Sequence, residues 1–167
     1  MDDAAKKTAL RMIPYGIYVL TAKGADGTLY AATVNWVTQA AFVPPLLVVG
    51  VKAESGAYHG LKESGHFVLN MLGKGQQGAA FAFFKPADVT DGKISGEPYH
   101  DGANGAPILQ SAVAAVECKV VEIVAQGDHH VVVAQVTEAH VHKQPEGRPD
   151  MAILAMSDLG ENVFYGG

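Results

Sequence analysis

The stretch "LNMLGKGQQGAAF", residues 69–81, decides between two folds. Gly73, Gly75 and Gly78 stand in the spacing G-x-G-x-x-G, after an apolar run (residues 67–72) and before a segment with three alanines. Strand, glycine turn and helix are the local context of a dinucleotide-binding fingerprint. A working fingerprint also needs a helix of about three turns, a second parallel strand, and an acid about 20 residues further on for a ribose. Here Pro86 cuts the helix after about two turns, and "ADVTDGKISGEPYHDG" has acids but no buried strand to carry one. The stretch is read as a strand, a flexible turn and a short helix of some other architecture.

The flanking sequence says which. On the N-terminal side, Asp2 or Asp3 caps a short helix carrying Leu10 and Met12, ended by Pro14. "GIYVLTAK" (residues 16–23) reads as a strand, and "GADGT" (24–28), with Asp26-Gly27, as a hairpin turn. "YAATVNWVTQAAF" is extended with mixed faces. "PPLLVVGVK" (44–52) is a continuous apolar run, as expected of a strand buried on both faces. "SGAYHGLKESG" (55–65) reads as a helix capped by Ser55 and stopped by Gly65. Towards the C-terminus, residues 85–111 predict a long surface loop. "AVECKVVEIV" and "HVVVAQVTEAHVH", joined by a short Gly-Asp connection, predict a hairpin of two long strands, and "MAILAM" a last strand. Some seven strands, mostly hairpin-linked, predict a mainly β fold, an antiparallel barrel with short peripheral helices. No linker or repeat divides the 167 residues, so one domain over 1–167 is expected.

Composition narrows the function classes. Hydrophobic residues make up 49% of the chain and charged ones 17%, the mixture of a folded domain. A net charge of −5 offers no basic footprint for nucleic acid or a membrane surface. Neither a signal-peptide core nor an apolar run of about 18 residues stands out, so a soluble cytoplasmic protein is expected. Cys118, the single cysteine, lies in a strand-like run and reads as a core residue.

Three clusters could carry chemistry. In "ATVNWVTQ" (32–39), Thr33, Asn35, Thr38 and Gln39 offer hydrogen bonds, with Trp36 as an aromatic wall for a planar ligand. Their alternative is to face solvent or neighbouring backbone. In "VKAESGAYHG" (51–60), Lys52 ends a strand and Ser55 starts a helix, a combination that suits a phosphate as well as it suits an ordinary cap and a solvated lysine. Third, His140, His142 and Glu146 match part of an H-x-H-x-x-x-E metal pattern without its framing glycines, and Pro145 favours an exposed strand end over a metal site. His129 differs, because "GDH" sets it on a tight turn from which it can project into a cleft.

Taken together, several stretches resemble the flavin reductase-like, FMN-binding split β-barrel family. They are "GIYVLTAKGADGTLYAATVNWVTQAAFVPPLLVVGVKAES", "ESGHFVLNMLGKGQQGAAFAFF" and "QGDHHVVVAQVTEAHV", spanning roughly residues 14 to 142. The resemblance implies a homodimer holding FMN (or FAD) near the subunit interface. It places Thr33, Asn35, Trp36, Val37 and Thr38 along the isoalloxazine and ribityl chain. It further assigns Lys52 and Ser55 to the phosphate, and sets Phe84 and Lys85 beside the same pocket. His129 would lie near the nicotinamide of NAD(P)H, acting by positioning rather than as a general base. Electrons would pass to free flavin, a monooxygenase, iron, oxygen or a small redox protein. Trp36, Val37 and Gln39 stand where many relatives have small residues, and Phe164 and Tyr165 are expected to tuck against a partner subunit. Two other readings remain: an FMN electron carrier reduced by a redox protein such as a rubredoxin, and a β-barrel binding module without a redox cofactor.

Overall fold

The computed structural model describes residues 1–167. Asp2 caps the first helix, α1 (Asp3–Arg11), by accepting a hydrogen bond from Ala5 N at 2.7 Å. Asp3 in its first turn and Arg11 in its last complement the helix dipole, but α1 buries none of its side chains. The hairpin β1 (Tyr18–Lys23) and β2 (Leu29–Val34) turns at Gly27, whose φ of +84° is open to glycine. Next come β3 (Val37–Ala41), β4 (Leu46–Lys52), α2 (Gly56–Ser64), β5 (His66–Met71) and α3 (Gln77–Ala82). Four short strands follow, β6 (Val89–Thr90), β7 (Lys93–Ile94), β8 (Glu97–Asp101) and β9 (Pro107–Leu109). The long pair β10 (Ala114–Val124) and β11 (His129–Val141) completes the strands.

Seven strands form one antiparallel sheet in the order β2-β1-β5-β10-β11-β4-β3. Its two edge strands, β2 and β3, are consecutive in the chain and joined only by Asn35 and Trp36. At about 4.8 Å per strand, a flat sheet would hold those edges about 29 Å apart, whereas this connection spans at most about 10 Å. The sheet must therefore curl until its edges meet, which makes it a half-barrel. Asn35 and Trp36 sit at the seam.

The inside of the curl is filled by Leu20, Val49, Phe67, Leu69, Cys118 and Val132, with Leu61 of α2 closing one end. A second cluster, including Val19, Leu72, Phe83, Ile94 and Leu154, lies on the outer face of β1. β1 and β5 are consequently buried on both faces. Here the sequence expectation for β4 is corrected: its burial alternates, because no second layer covers its other side. That second layer is supplied instead by residues 85–111. They form no loose loop but the small sheet β6-β7-β8-β9, which packs Ile94 and Leu109 onto β1. Asn70 of β5 ties the layers together, donating to Val19 O and Thr21 Oγ1 (each 3.1 Å) and accepting from Leu109 N at 2.9 Å.

Residues 151–156 also depart from expectation. They make isolated bridges, Gly73 with Ile153 and Gly16 with Ala155, between two 3-10 turns, rather than a strand. As for the opening glycines, Gly75 takes a φ of +88° in the turn, and a Cβ on Gly73 would lie 2.6 Å from Val113 Cγ1. α3 has only six residues, and the next strand is a two-residue antiparallel one. The doubly wound alternative is excluded.

Candidate functional site: a cleft at the seam of the curled sheet

The seam opens into a cleft of about 320 Å3, mostly apolar with a few convergent polar groups. Its volume falls at the lower end of small-molecule sites, about 300–1,000 Å3. Of the residues singled out in the sequence, the structure brings Thr33, Asn35, Lys52, Ser55, Phe84 and His129 to this one cleft. Val37 and Thr38 lie elsewhere: they line a second cavity of about 270 Å3 with Tyr18, Leu46, Met71 and Val116. Residues beyond the seam follow β3 away from the opening. Lys85 is exposed and is not among the cleft-lining residues. Trp36 is not in the lining either, but lies against His129 and Tyr165.

Register builds the polar end. His129 of β11 pairs with Lys52 of β4, so a cation and an imidazole are set side by side where both strands meet the opening. Ala53 N donates to Asp128 O at 3.0 Å, which carries the pairing one step into the loop. Ser55 then caps α2: its Oγ accepts from Tyr58 N at 3.2 Å and donates to Lys52 O at 2.8 Å. The first-turn N–H groups of Gly56 and Ala57 are left without a protein acceptor. A cation, a hydroxyl and free N–H groups at a helix start suit an anionic group such as a phosphate.

The other end is aromatic. Gly50 N donates to Trp36 O at 2.9 Å, and a Cβ on Gly50 would lie 3.1 Å from the indole, so glycine lets the ring settle on β4. The His129 ring lies 4.6 Å from Trp36, centroid to centroid, and its side chain is only 13% exposed. Its Nδ1 faces Asp128 Oδ1 at 3.0 Å and its Nε2 the Tyr165 hydroxyl at 2.7 Å. The pattern is self-consistent with Nδ1–H donating to the carboxylate and Nε2 accepting from the phenol. The hydrogen bond from His129 holds the Asp128 carboxyl below its ordinary range. Burial, then the charge of Asp128, push the Tyr165 phenol above its ordinary value. Thr33 acts from behind the wall: its Oγ1 donates to Ala80 O at 2.7 Å and its N to Phe83 O at 3.2 Å, fixing α3 so that Phe84 reaches the cleft.

Sequence reasoning missed the wall formed by Val163, Phe164 and Tyr165. This aromatic pair makes contacts within its own chain. Asn35 Nδ2 donates to Tyr165 O at 3.1 Å, and the Arg11 guanidinium stands 4.3 Å over the Phe164 ring. The glycines flanking "ENVFY" were the available signal of a segment free to fold back.

The histidines near the far end of β11 are separate. His140 Nε2 lies 2.9 Å from Oε1 of the buried Glu117, whose other oxygen accepts from Asn104 N at 2.8 Å. His142 lies 6.3 Å, ring to ring, from both His140 and His100. Burial, then the Glu117 charge, push the Cys118 thiol up to about 12, as for an inert core residue.

Comparison with known proteins assigns the architecture. Residues 10–158 match the model of the flavin reductase like domain. The reductase component of 4-nitrophenol 4-monooxygenase/4-nitrocatechol 2-monooxygenase from Rhodococcus opacus is 31% identical over 140 residues, covering 83% of this chain and 72% of that one. A Rhizobium meliloti (strain 1021) protein named "Probable flavin reductase" is 29% identical over 136 residues. That match covers 81% of this chain, which spans only 43% of the Rhizobium protein's length. Among solved structures, the styrene monooxygenase flavin reductase of Pseudomonas putida S12 superposes with a TM-score of 0.70 at 28% identity, covering 84% of this chain and 87% of that one. The chain belongs to the flavin reductase-like family.

Proposed function

We propose that this member of the flavin reductase-like family is an FMN-binding oxidoreductase, a single domain over residues 1–167 that takes hydride from NAD(P)H onto the flavin. The electrons would go on to a partner monooxygenase, free flavin, iron or oxygen, in the cytoplasm where reduced nicotinamide is at hand. One observation carries the reading: Lys52 and the Ser55-capped start of α2 share a single cleft with Asn35, His129 and Phe84.

A bound flavin supplies the redox ring and the protein supplies placement and electrostatics. Lys52, Ser55 and the Gly56 and Ala57 N–H groups would hold the phosphate at the polar end. Ser55 Oγ would give up its hydrogen bond to Lys52 O to do so. Asn35 and the Phe84 ring would flank the isoalloxazine, and His129 would orient the nicotinamide rather than move a proton. FAD uses the same polar end, but the compact cleft favours FMN. A second copy of the chain would cover the apolar cavity beside Val37 and Thr38, near the turn that leaves Phe42 and Val43 84% and 93% exposed. Sedimentation at micromolar concentration checks that pairing, and a monomer sinks it.

The test is anaerobic. Protein loaded with FMN should bleach rapidly on adding NADH or NADPH. No bleaching with either would overturn the reductase assignment in favour of a carrier reduced by a small redox protein. Lys52→Ala should weaken FMN binding about 10- to 100-fold, the worth of a hydrogen bond to a charged group at about 1.5–3 kcal/mol. Full affinity in that variant would remove the phosphate assignment.

A further inference from the structure

We propose that Tyr165 is an access-determining residue, an intrinsic ring lying where a nicotinamide must stack, so that the nicotinamide binds only by displacing it. The inference rests on the reading of this cleft as a flavin and nicotinamide site. It concerns a residue outside the segment that carries the Gly-Asp-His resemblance.

Tyr165 occupies the polar contacts a ring ligand would seek. Its hydroxyl takes His129 Nε2 at 2.7 Å, and its carbonyl takes Asn35 Nδ2 at 3.1 Å. Its ring stands 5.5 Å from Trp36 and 5.7 Å from His129, closing the aromatic end. An incoming planar group with a hydrogen-bonding edge would meet the same two partners and the same stack. With Tyr165 in place, those positions are taken.

The segment holding Tyr165 is built to leave. Leu159 is anchored in the outer core, and Gly160 directly after it has a φ of +131°. Gly166, on the other side of the aromatic pair, has the same value. Between them the backbone joins no strand, and its internal hydrogen bond is Val163 N to Gly160 O. The outer clamp is Arg11, donating from Nε to Gly166 O at 3.2 Å, and it belongs to α1, which buries no side chain of its own. Segments with few buried contacts open at low cost.

Closure also carries a penalty. Trp36 Nε1 is buried without a hydrogen-bond partner, and a Cβ on Gly166 would lie 3.5 Å from it. The strap thus seals a donor that water or a ligand would satisfy, and opening it returns that hydrogen bond.

The experiment uses the full chain with FMN. A bound conformation populated only part of the time lowers apparent affinity by that fraction. Tyr165→Ala should therefore lower the KM for NADH severalfold, and Tyr165→Phe, which keeps the ring but loses the phenol–imidazole bond, should fall between. If Tyr165 only steadies His129, both variants raise KM or lower kcat, and the proposal is overturned. Trp36 is the single tryptophan, so acrylamide quenching of its fluorescence reads the strap directly. In flavin-free protein, Tyr165→Ala should raise quenching to a plateau that NAD+ brings the wild type towards; a wild type unmoved by saturating NAD+ overturns the displacement. Wild-type protein that binds no FMN would instead fail the functional reading, and the quenching arm then still decides this one.

Discussion

The two walls of the cleft are held by different forces. On one side, β4, the start of β11 and α2 fix Lys52, His129 and Ser55 through ladder pairing, a helix cap and a core that includes the fully buried Leu61 and Phe67. On the other, Phe164 and Tyr165 are held by a few side-chain contacts and an exposed arginine on a helix with no buried residue. Opening the first wall means breaking the core, whereas opening the second breaks a handful of solvent-near bonds. A binding site can thus be rigid where it must place an anion and yielding where it must admit a ring.

The contrast can be broken at its strong side. Phe67 is fully buried and pairs across the sheet with Cys118. Phe67→Ala should cost about 3–5 kcal/mol, read from urea denaturation. The Cys118 thiol, pushed up to about 12 and buried, should be inert to thiol reagents in the wild type and become labelled as the variant opens. Unchanged labelling in Phe67→Ala would mean that the core does not govern this wall.

At the weak side, Arg11→Ala removes a contact over Phe164 and a hydrogen bond to Gly166. The local loss should be about 0.5–1 kcal/mol, raising acrylamide quenching of Trp36. The urea midpoint and Cys118 labelling should stay put. A global loss of several kcal/mol would show that α1 and the strap belong to the core unit after all.

The smallest expected effect is a pH dependence. The folded-state value of the Tyr165 phenol is raised above its ordinary 10.0, by burial first and the Asp128 charge second. A raised value means that the contact's contribution is complete below the unfolded value and is lost as pH rises through the folded one. Quenching of Trp36 should therefore be flat at neutral pH and climb above about pH 10. In Tyr165→Phe that climb should vanish; an identical climb there would assign it to another group.

Much of the rigid side was legible from neighbouring residues. Ser55 before an amphipathic segment and Gly65 after it foretold α2, and Asp26-Gly27 foretold the first turn, because caps and turns are settled by the residues that make them. The β-branched runs around the Gly-Asp connection foretold β10 and β11 for the same reason. Residues 85–111 were not legible, since strands of two to five residues carry too short a pattern to show a period. The "MAILAM" run is apolar because it covers the outer core, and burial alone does not distinguish a strand from bridges and turns.

By itself, then, the sequence determined the longer strands, the caps, the family and the pairing of a cation with a helix start, all properties of residues close together in the chain. Only the tertiary structure decided that β2 and β3 meet at a seam, that Val37 and Thr38 part there from Asn35, and that Tyr165 closes the cleft. Asn35 and Tyr165 are 130 residues apart, and the bond between them exists only because the sheet curls. No local pattern encodes a contact whose two halves are brought together by everything folded between them.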